Sequence, residues 1–252
     1  MFYKKIFQYL DREQKKTIFA LLKKHKKSLK KIFIVVLYSI GSIQNKYQER
    51  PGDRKRNGDY GRRWRMALDR LIEARQEELI KSGILLIHID PTKLDVIVAK
   101  KSMRVLQPRL RSLQKQLKLD QLHKAFSPIK KKELEVLLLR EKNILVVGWI
   151  HLAEMYVSGG SAQEAAVAEL FGVPLYLNSS EDVVQNYKSR HVLDSIAASK
   201  KDIIKSRNIF YNAEDTLNKI IKDIPHLRRE RSIPALGELF VRAWNKKMMV
   251  LR

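Results

Sequence analysis

Four short runs of the chain are apolar at nearly every position, and they restrict its fold more than any other feature. They are Ile32-Phe33-Ile34-Val35-Val36-Leu37-Tyr38, Ile84-Leu85-Leu86-Ile87-His88-Ile89, Asn143-Ile144-Leu145-Val146-Val147-Gly148-Trp149 and Val173-Pro174-Leu175-Tyr176-Leu177. Each has the length of a strand, and none alternates between polar and apolar residues. A strand without that alternation buries both faces, as in a parallel sheet covered by helices.

Between these runs the period changes to that of a helix. Trp64, Ala67, Leu68, Leu71, Ile72 and Leu79 fall at spacings of three and four, and Gly83 ends the segment. Residues 131–141 and the Ala-rich stretch from Ala162 to Phe171, closed by Gly172, follow the same rule. Strand, helix and strand in alternation predict right-handed crossovers and a three-layer parallel α/β sheet. Asp90-Pro91 stops the second strand, and Val96-Ile97-Val98 reads as a further short strand. Leu106, Leu110, Leu113, Leu117 and Leu119 suggest a basic helix. Residues 41–63 read as a polar loop, with turn signals at Pro51-Gly52-Asp53 and Asn57-Gly58-Asp59. The expected organisation is a basic helical arm over 1–31, an α/β domain over 32–177 and a basic helical extension over 178–252. The extension shows no strand pattern, and Pro225 and Pro234 divide it.

Charge narrows the partners. Among 252 residues, Lys and Arg number 51 against 27 acids, a formal charge of +24. Self-repulsion on that scale opposes compaction unless counter-charge is near. A protein resting on phosphates has that counter-charge, because each contact releases a condensed counterion. Nucleic acid or nucleotides are therefore the expected partners, with an anionic membrane surface behind them. A homo-oligomer or a large nucleoprotein assembly fits the same charge. There is no cysteine, which removes disulfides and thiolate metal sites, and the six histidines are scattered without metal-ligand spacing. No apolar stretch has the length of a spanning helix. No secretory signal is evident at the start. The expected place is the cytoplasm, in a cell or associated with a virion. The basic amphipathic first thirty residues leave a mitochondrial address open.

Two segments are candidates for phosphate contact. In the arm, Leu10, Ile18, Phe19, Leu21 and Leu22 recur among lysines that include Lys23, Lys24, Lys26 and Lys27. That pattern is a helix with one apolar and one basic face, suited to an anionic surface or to packing on the domain. In the 41–63 segment, Arg54, Lys55, Arg56, Arg62 and Arg63 are interleaved with Tyr47, Tyr60 and Trp64. Guanidinium groups beside aromatic rings suit phosphate contact and base stacking. A solvated charged loop has the same composition.

The stretch richest in chemistry is strand, Ser158-Gly159-Gly160-Ser161-Ala162-Gln163-Glu164, helix, Gly172-Val173-Pro174, strand. Glycines at a strand-to-helix turn let backbone approach a ligand closely. The helix start then offers free N–H groups to an anion. Glu164 is expected in the first turn. There it serves as a dipole-favoured acid, as a capping partner of Ser161 or as a site carboxylate.

This block resembles the nucleoside 2-deoxyribosyltransferase-like superfamily of Rossmann-like proteins. The likeness rests on Asn143–Val147, Ser158-Gly159-Gly160, Glu164, Ala165–Leu170 and Gly172-Val173-Pro174, and runs more loosely over 32–91. It implies cleavage or transfer at an N-glycosidic bond, with Glu164 as the nucleophile at the anomeric carbon. Ser158, Gly159, Gly160 and Ser161 would hold sugar or phosphate, with no cofactor and no metal. Asn143 stands where the family has an Asp, and Tyr38-Ser39-Ile40-Gly41 where it has Ala-Gly-Pro. Ile150 to Val157 lengthens the loop. Asp90 and Asp95 remain as default second carboxylates. These departures leave open a second function: a catalytically inactive scaffold bound to nucleic acid, in a ribonucleoprotein or a virion.

Overall fold

The computed structural model describes residues 3–25, 32–41, 54–99, 116, 119–139, 141–152, 159–179, 209–210 and 212–230. The elements in chain order are α1 (Tyr3–Phe7), α2 (Arg12–Lys24), β1 (Phe33–Gly41), α3 (Arg54–Lys81), β2 (Ile84–Ile89), α4 (Pro91–Ala99) and α5 (Leu119–Leu137). β3 (Ile144–Leu152), α6 (Gly159–Leu170), β4 (Leu175–Ser179), β5 (Ile209–Phe210) and α7 (Ala213–Glu230) follow. The fold is Rossmann-like α/β, with a parallel sheet in the order β2-β1-β3-β4-β5. Four strands carry the sheet, and the two-residue β5 completes its edge. Phe33 pairs with Ile84 and Tyr38 with Ile89 in one ladder, and Gly148 with Leu175 and Leu152 with Ser179 in another.

The chain divides into two compact units. One comprises Met1–Ser39 and Arg65–Leu145, the other Ile40–Trp64 and Val146–Arg252. In the first, Val35, Val36 and Leu37 of β1 are wholly buried, with Leu85 of β2 and Ile80 of α3. The apolar-on-both-faces runs thus become the centre of a core. Gly83 turns α3 into β2 with a φ of 80°, a conformation that a Cβ disfavours. The described part of the 1–31 segment, residues 3–25, holds two helices rather than one. Asp11 breaks it, because its carboxylate accepts the Gln14 N–H while the Gln14 side chain caps Asp11 in return. Ile18 and Leu22 of α2 are buried, and Gln14 Nε2 donates to the His88 carbonyl at 2.8 Å.

Several expectations need correction. Val96-Ile97-Val98 is helix, not strand. Asp90 captures the N–H and hydroxyl of Thr92, and Pro91 opens α4 with its φ already set, so the β-branched residues that follow are carried into the helix. The polar loop of 41–63 ends at 53, because α3 starts at Arg54 and runs through Asn57-Gly58-Asp59. Gly58 and Gly61 each cost about 1 kcal/mol inside the helix, which the surrounding Arg, Lys and Leu, all good helix formers, accommodate. Residues 42–53, with their turn signal at Pro51-Gly52-Asp53, lie outside the described residues. So do the leucines from Leu106 to Leu117 and the segments 180–208 and 231–252. The helix read at 131–141 begins at Leu119 and contains Pro128.

The second unit also departs from expectation. Its C-terminal part holds a strand, since Ile209 and Phe210 pair with Leu177 and Asn178. Pro225 lies within α7 instead of ending it. Packing of Leu217, Ile220 and Ile224 outweighs the lost backbone bond. Tyr176 of β4 donates its hydroxyl to Asp223 at 2.8 Å, and Lys219 pairs with the same carboxylate. Gly172 turns α6 into β4 with a φ of 65°.

Arg65 and Asp90 form an ion pair at 3.1 Å, their side chains only 2 and 7% exposed. Removing one member of such a pair strands the other charge in the interior. Asp90→Ala should therefore lower stability by about 3–5 kcal/mol, measured as the shift in urea unfolding midpoint at constant slope. A loss under about 1 kcal/mol would show that the pair is dispensable.

Candidate functional site

Sheets of this kind bind ligands beyond the carboxyl ends of their strands, where the strand order reverses. Here the order reverses between β1 and β3. In the second unit, Gly41 ends β1, His151 is next to last in β3 and Asn178 next to last in β4. The His151 ring stacks on Trp64 with centroids 4.6 Å apart. Its Nδ1 lies 2.9 Å from Asn178 Oδ1. Asn178 Nδ2 donates to Thr216 Oγ1 at 3.4 Å, and Thr216 donates in turn to the Asn212 carbonyl at 2.8 Å. The side chain that closes the chain comes from α7, which Asn212 caps through the Asp215 N–H. A Cβ at Gly41 would fall 2.9 Å from the His151 carbonyl oxygen and 3.2 Å from the Trp64 ring. Glycine is required there by the closeness of this stack.

The expected phosphate turn is helical from its first glycine. α6 begins at Gly159, so Gly160 and Ser161 are its second and third residues and Glu164 its sixth. Glu164 is therefore in the second turn, and Ser161 is the third residue of the helix rather than its N-cap. The Glu164 residue is buried, 6% exposed. Ser158 lies outside the described residues, as does the side chain of Ser161. Arg54, Lys55, Arg56, Arg62 and Arg63 occupy the first half of α3, with side chains outside the described residues. Trp64, the described side chain of that group, stacks on His151. Lys23 and Lys24 form the last turn of α2, and Lys24 pairs with Glu77. Lys26 and Lys27 lie outside the described residues. Of the default second carboxylates, Asp90 is held by Arg65 and Thr92, and the Asp95 side chain lies outside the described residues.

The first unit contains a second polar group that sequence reading missed. His88, next to last in β2, puts Nδ1 2.6 Å from Asp69 Oδ1 of α3. Lys93 of α4 donates to Asp69 Oδ2 at 3.1 Å. Burial pushes the Asp69 carboxyl up. The hydrogen bond and charge of His88 and then Lys93 outweigh it and hold the group below its ordinary value. Burial likewise depresses Lys93, but Asp69, Asp11 and Asp90 together raise it above its usual range. A polar residue near the carboxyl end of a buried strand was the available signal, and His88, His151 and Asn178 all share it.

No family model, no curated protein and no solved structure matches the chain. Among the described residues, no helix is long and apolar enough to cross a membrane, and no cluster of three His, Asp or Glu has metal-ligand placement.

Asp69 gives a pH signature. Its folded-state pKa is depressed, so its contribution is complete above the ordinary carboxylate pKa near ~4 and is lost as pH falls through the depressed value. Asp69→Asn should flatten the acid limb of the melting temperature below about pH 4. Parallel curves for wild type and variant down to about pH 2 would contradict the assignment.

Proposed function

We propose that the second unit binds a nucleoside or nucleotide at the carboxyl edge of β1, β3 and β4, and breaks its N-glycosidic bond with Glu164. The observation that carries this reading is the buried carboxylate of Glu164 on α6, the helix that follows β3 beside the strand-order reversal. A carboxylate suits an oxocarbenium-like centre, which it can neutralise or bond.

The chemistry balances simply. A Glu164 oxygen bonds to the anomeric carbon while the bond from that carbon to the base nitrogen breaks. The base leaves with the electron pair and takes a proton from solvent. Water then cleaves the glycosyl ester, releasing the sugar and restoring the carboxylate. The stacked Trp64 and His151 rings offer an aromatic surface for a base. The excess of 51 basic over 27 acidic residues attracts phosphorylated substrates.

That same excess favours a second reading, a scaffold bound to nucleic acid without catalysis, and Asn143 in place of the family's Asp agrees with it. One comparison separates the two. Incubated with a panel of nucleosides and their monophosphates, the protein should release free base. Glu164→Gln should lower that rate on the order of 10³-fold or more. Base release that survives the substitution eliminates Glu164 as nucleophile. No release, together with nucleic-acid binding that weakens steeply with salt, selects the scaffold.

A further inference from the structure

The first unit holds a cleft of about 340 Å³, at the small end of ligand pockets. Ile18 and Leu21 of α2, Ile72 of α3 and Leu86 of β2 give it an apolar lining. Its polar wall inverts the character of the chain. Asp11, Glu13, Asp69, Glu73 and Glu77 line it, against Lys93 as the one Lys or Arg among the lining residues. Lys93 is shared between Asp69 at 3.1 Å and Asp11 at 3.8 Å. Lys16 and Lys24 reach Glu13 and Glu77 from outside, in solvent-exposed pairs of the weak kind. Glu73 has no ion pair among the described residues. In a protein of charge +24, five carboxylates around one opening form a local site for a cation.

A second observation points the same way. Gln76 and His88 also line the cleft, at 5 and 3% exposure, and Gln76 Oε1 and His88 Nε2 have no hydrogen-bond partner. Such atoms are costly to bury unsatisfied. Gln76 Oε1 is an amide oxygen and can only accept a hydrogen bond. The carboxylates around it accept too. The missing partner is a donor, or several, carried on an apolar stem that matches the lining.

We propose that this cleft binds an aliphatic polyamine, its ammonium groups on Glu73, Gln76 and the neighbouring carboxylates and its methylenes along Ile18, Leu21 and Ile72. A phosphate-bearing ligand is repelled by the same wall. A bare divalent cation lacks its cage, since no described cluster offers three suitably placed ligands. The site is separate from the Glu164 chemistry, and neither reading depends on the other.

The test uses the full chain at fixed ionic strength, titrated calorimetrically with spermidine and, separately, with magnesium chloride. Spermidine should bind saturably at one site and raise the melting temperature, and magnesium should neither bind there nor displace it. Glu73→Gln and Gln76→Met should each weaken spermidine by about tenfold. Gln76→Met carries an opposite sign in the absence of ligand: removing an unsatisfied amide should raise the melting temperature. Spermidine affinity unchanged in both variants would overturn the proposal. So would a lower ligand-free melting temperature for Gln76→Met, which would show the amide already satisfied by the fold. A lysine-containing peptide that displaces spermidine at equal concentration would mark a peptide-docking site and overturn it as well.

Discussion

The buried pair of Arg65 and Asp90 is the interaction on which the first unit depends. Charges that far from water persist only when paired and hydrogen-bonded, and Asp90 is both. Its carboxylate holds Arg65 of α3 and caps α4 through Thr92, while its carbonyl accepts the N–H groups of Lys93 and Leu94. One residue thus sets where β2 ends and where α4 starts. It thereby determines that Lys93 lies at Asp69 and that His88, two residues earlier, faces the same carboxylate. The acidic cleft builds on that arrangement, and the His88–Asp69 contact ties the end of β2 to the α3 carboxylate a second time.

The sheet was legible in the sequence because strands buried on both faces have a distinctive composition. The runs at 32–38, 84–89, 143–149 and 173–177 become β1, β2, β3 and β4 within a few residues at each end. Gly83 and Gly172 were readable for an equally local reason, because each takes the positive φ that ends a helix. What failed was decided by context. Val96-Ile97-Val98 has strand propensity, but the cap at Asp90 had already committed the chain to a helix. Asn57-Gly58-Asp59 has turn propensity, and α3 absorbs it. β5 has two residues, too few for any period to register.

The candidate sites divide along the same line. Gly159, Gly160 and Glu164 are close in sequence, so a motif could single them out, although the helix starts earlier than the glycines suggested. Asp11, Asp69, Gln76, His88 and Lys93 are spread over four elements, and only the parallel pairing of β1 with β2 and the packing of α2 bring them to one cleft. His151 and Asn178 are neighbours across the β3–β4 ladder, in register at His151↔Asn178. Their common mark, a polar residue at the carboxyl end of an otherwise apolar strand, is visible in one dimension. Its meaning appears only once strand direction is known.

The brevity of β5 has a consequence for how the chain behaves among its own copies. A sheet's outermost strand is a template on which another molecule's strand can be added, and the hazard grows with the length of flat backbone on offer. β5 offers two residues, with α7 beginning almost at once after it. Among the described residues, an incoming strand finds a ladder of two residues at that border, against six along β2 at the opposite edge.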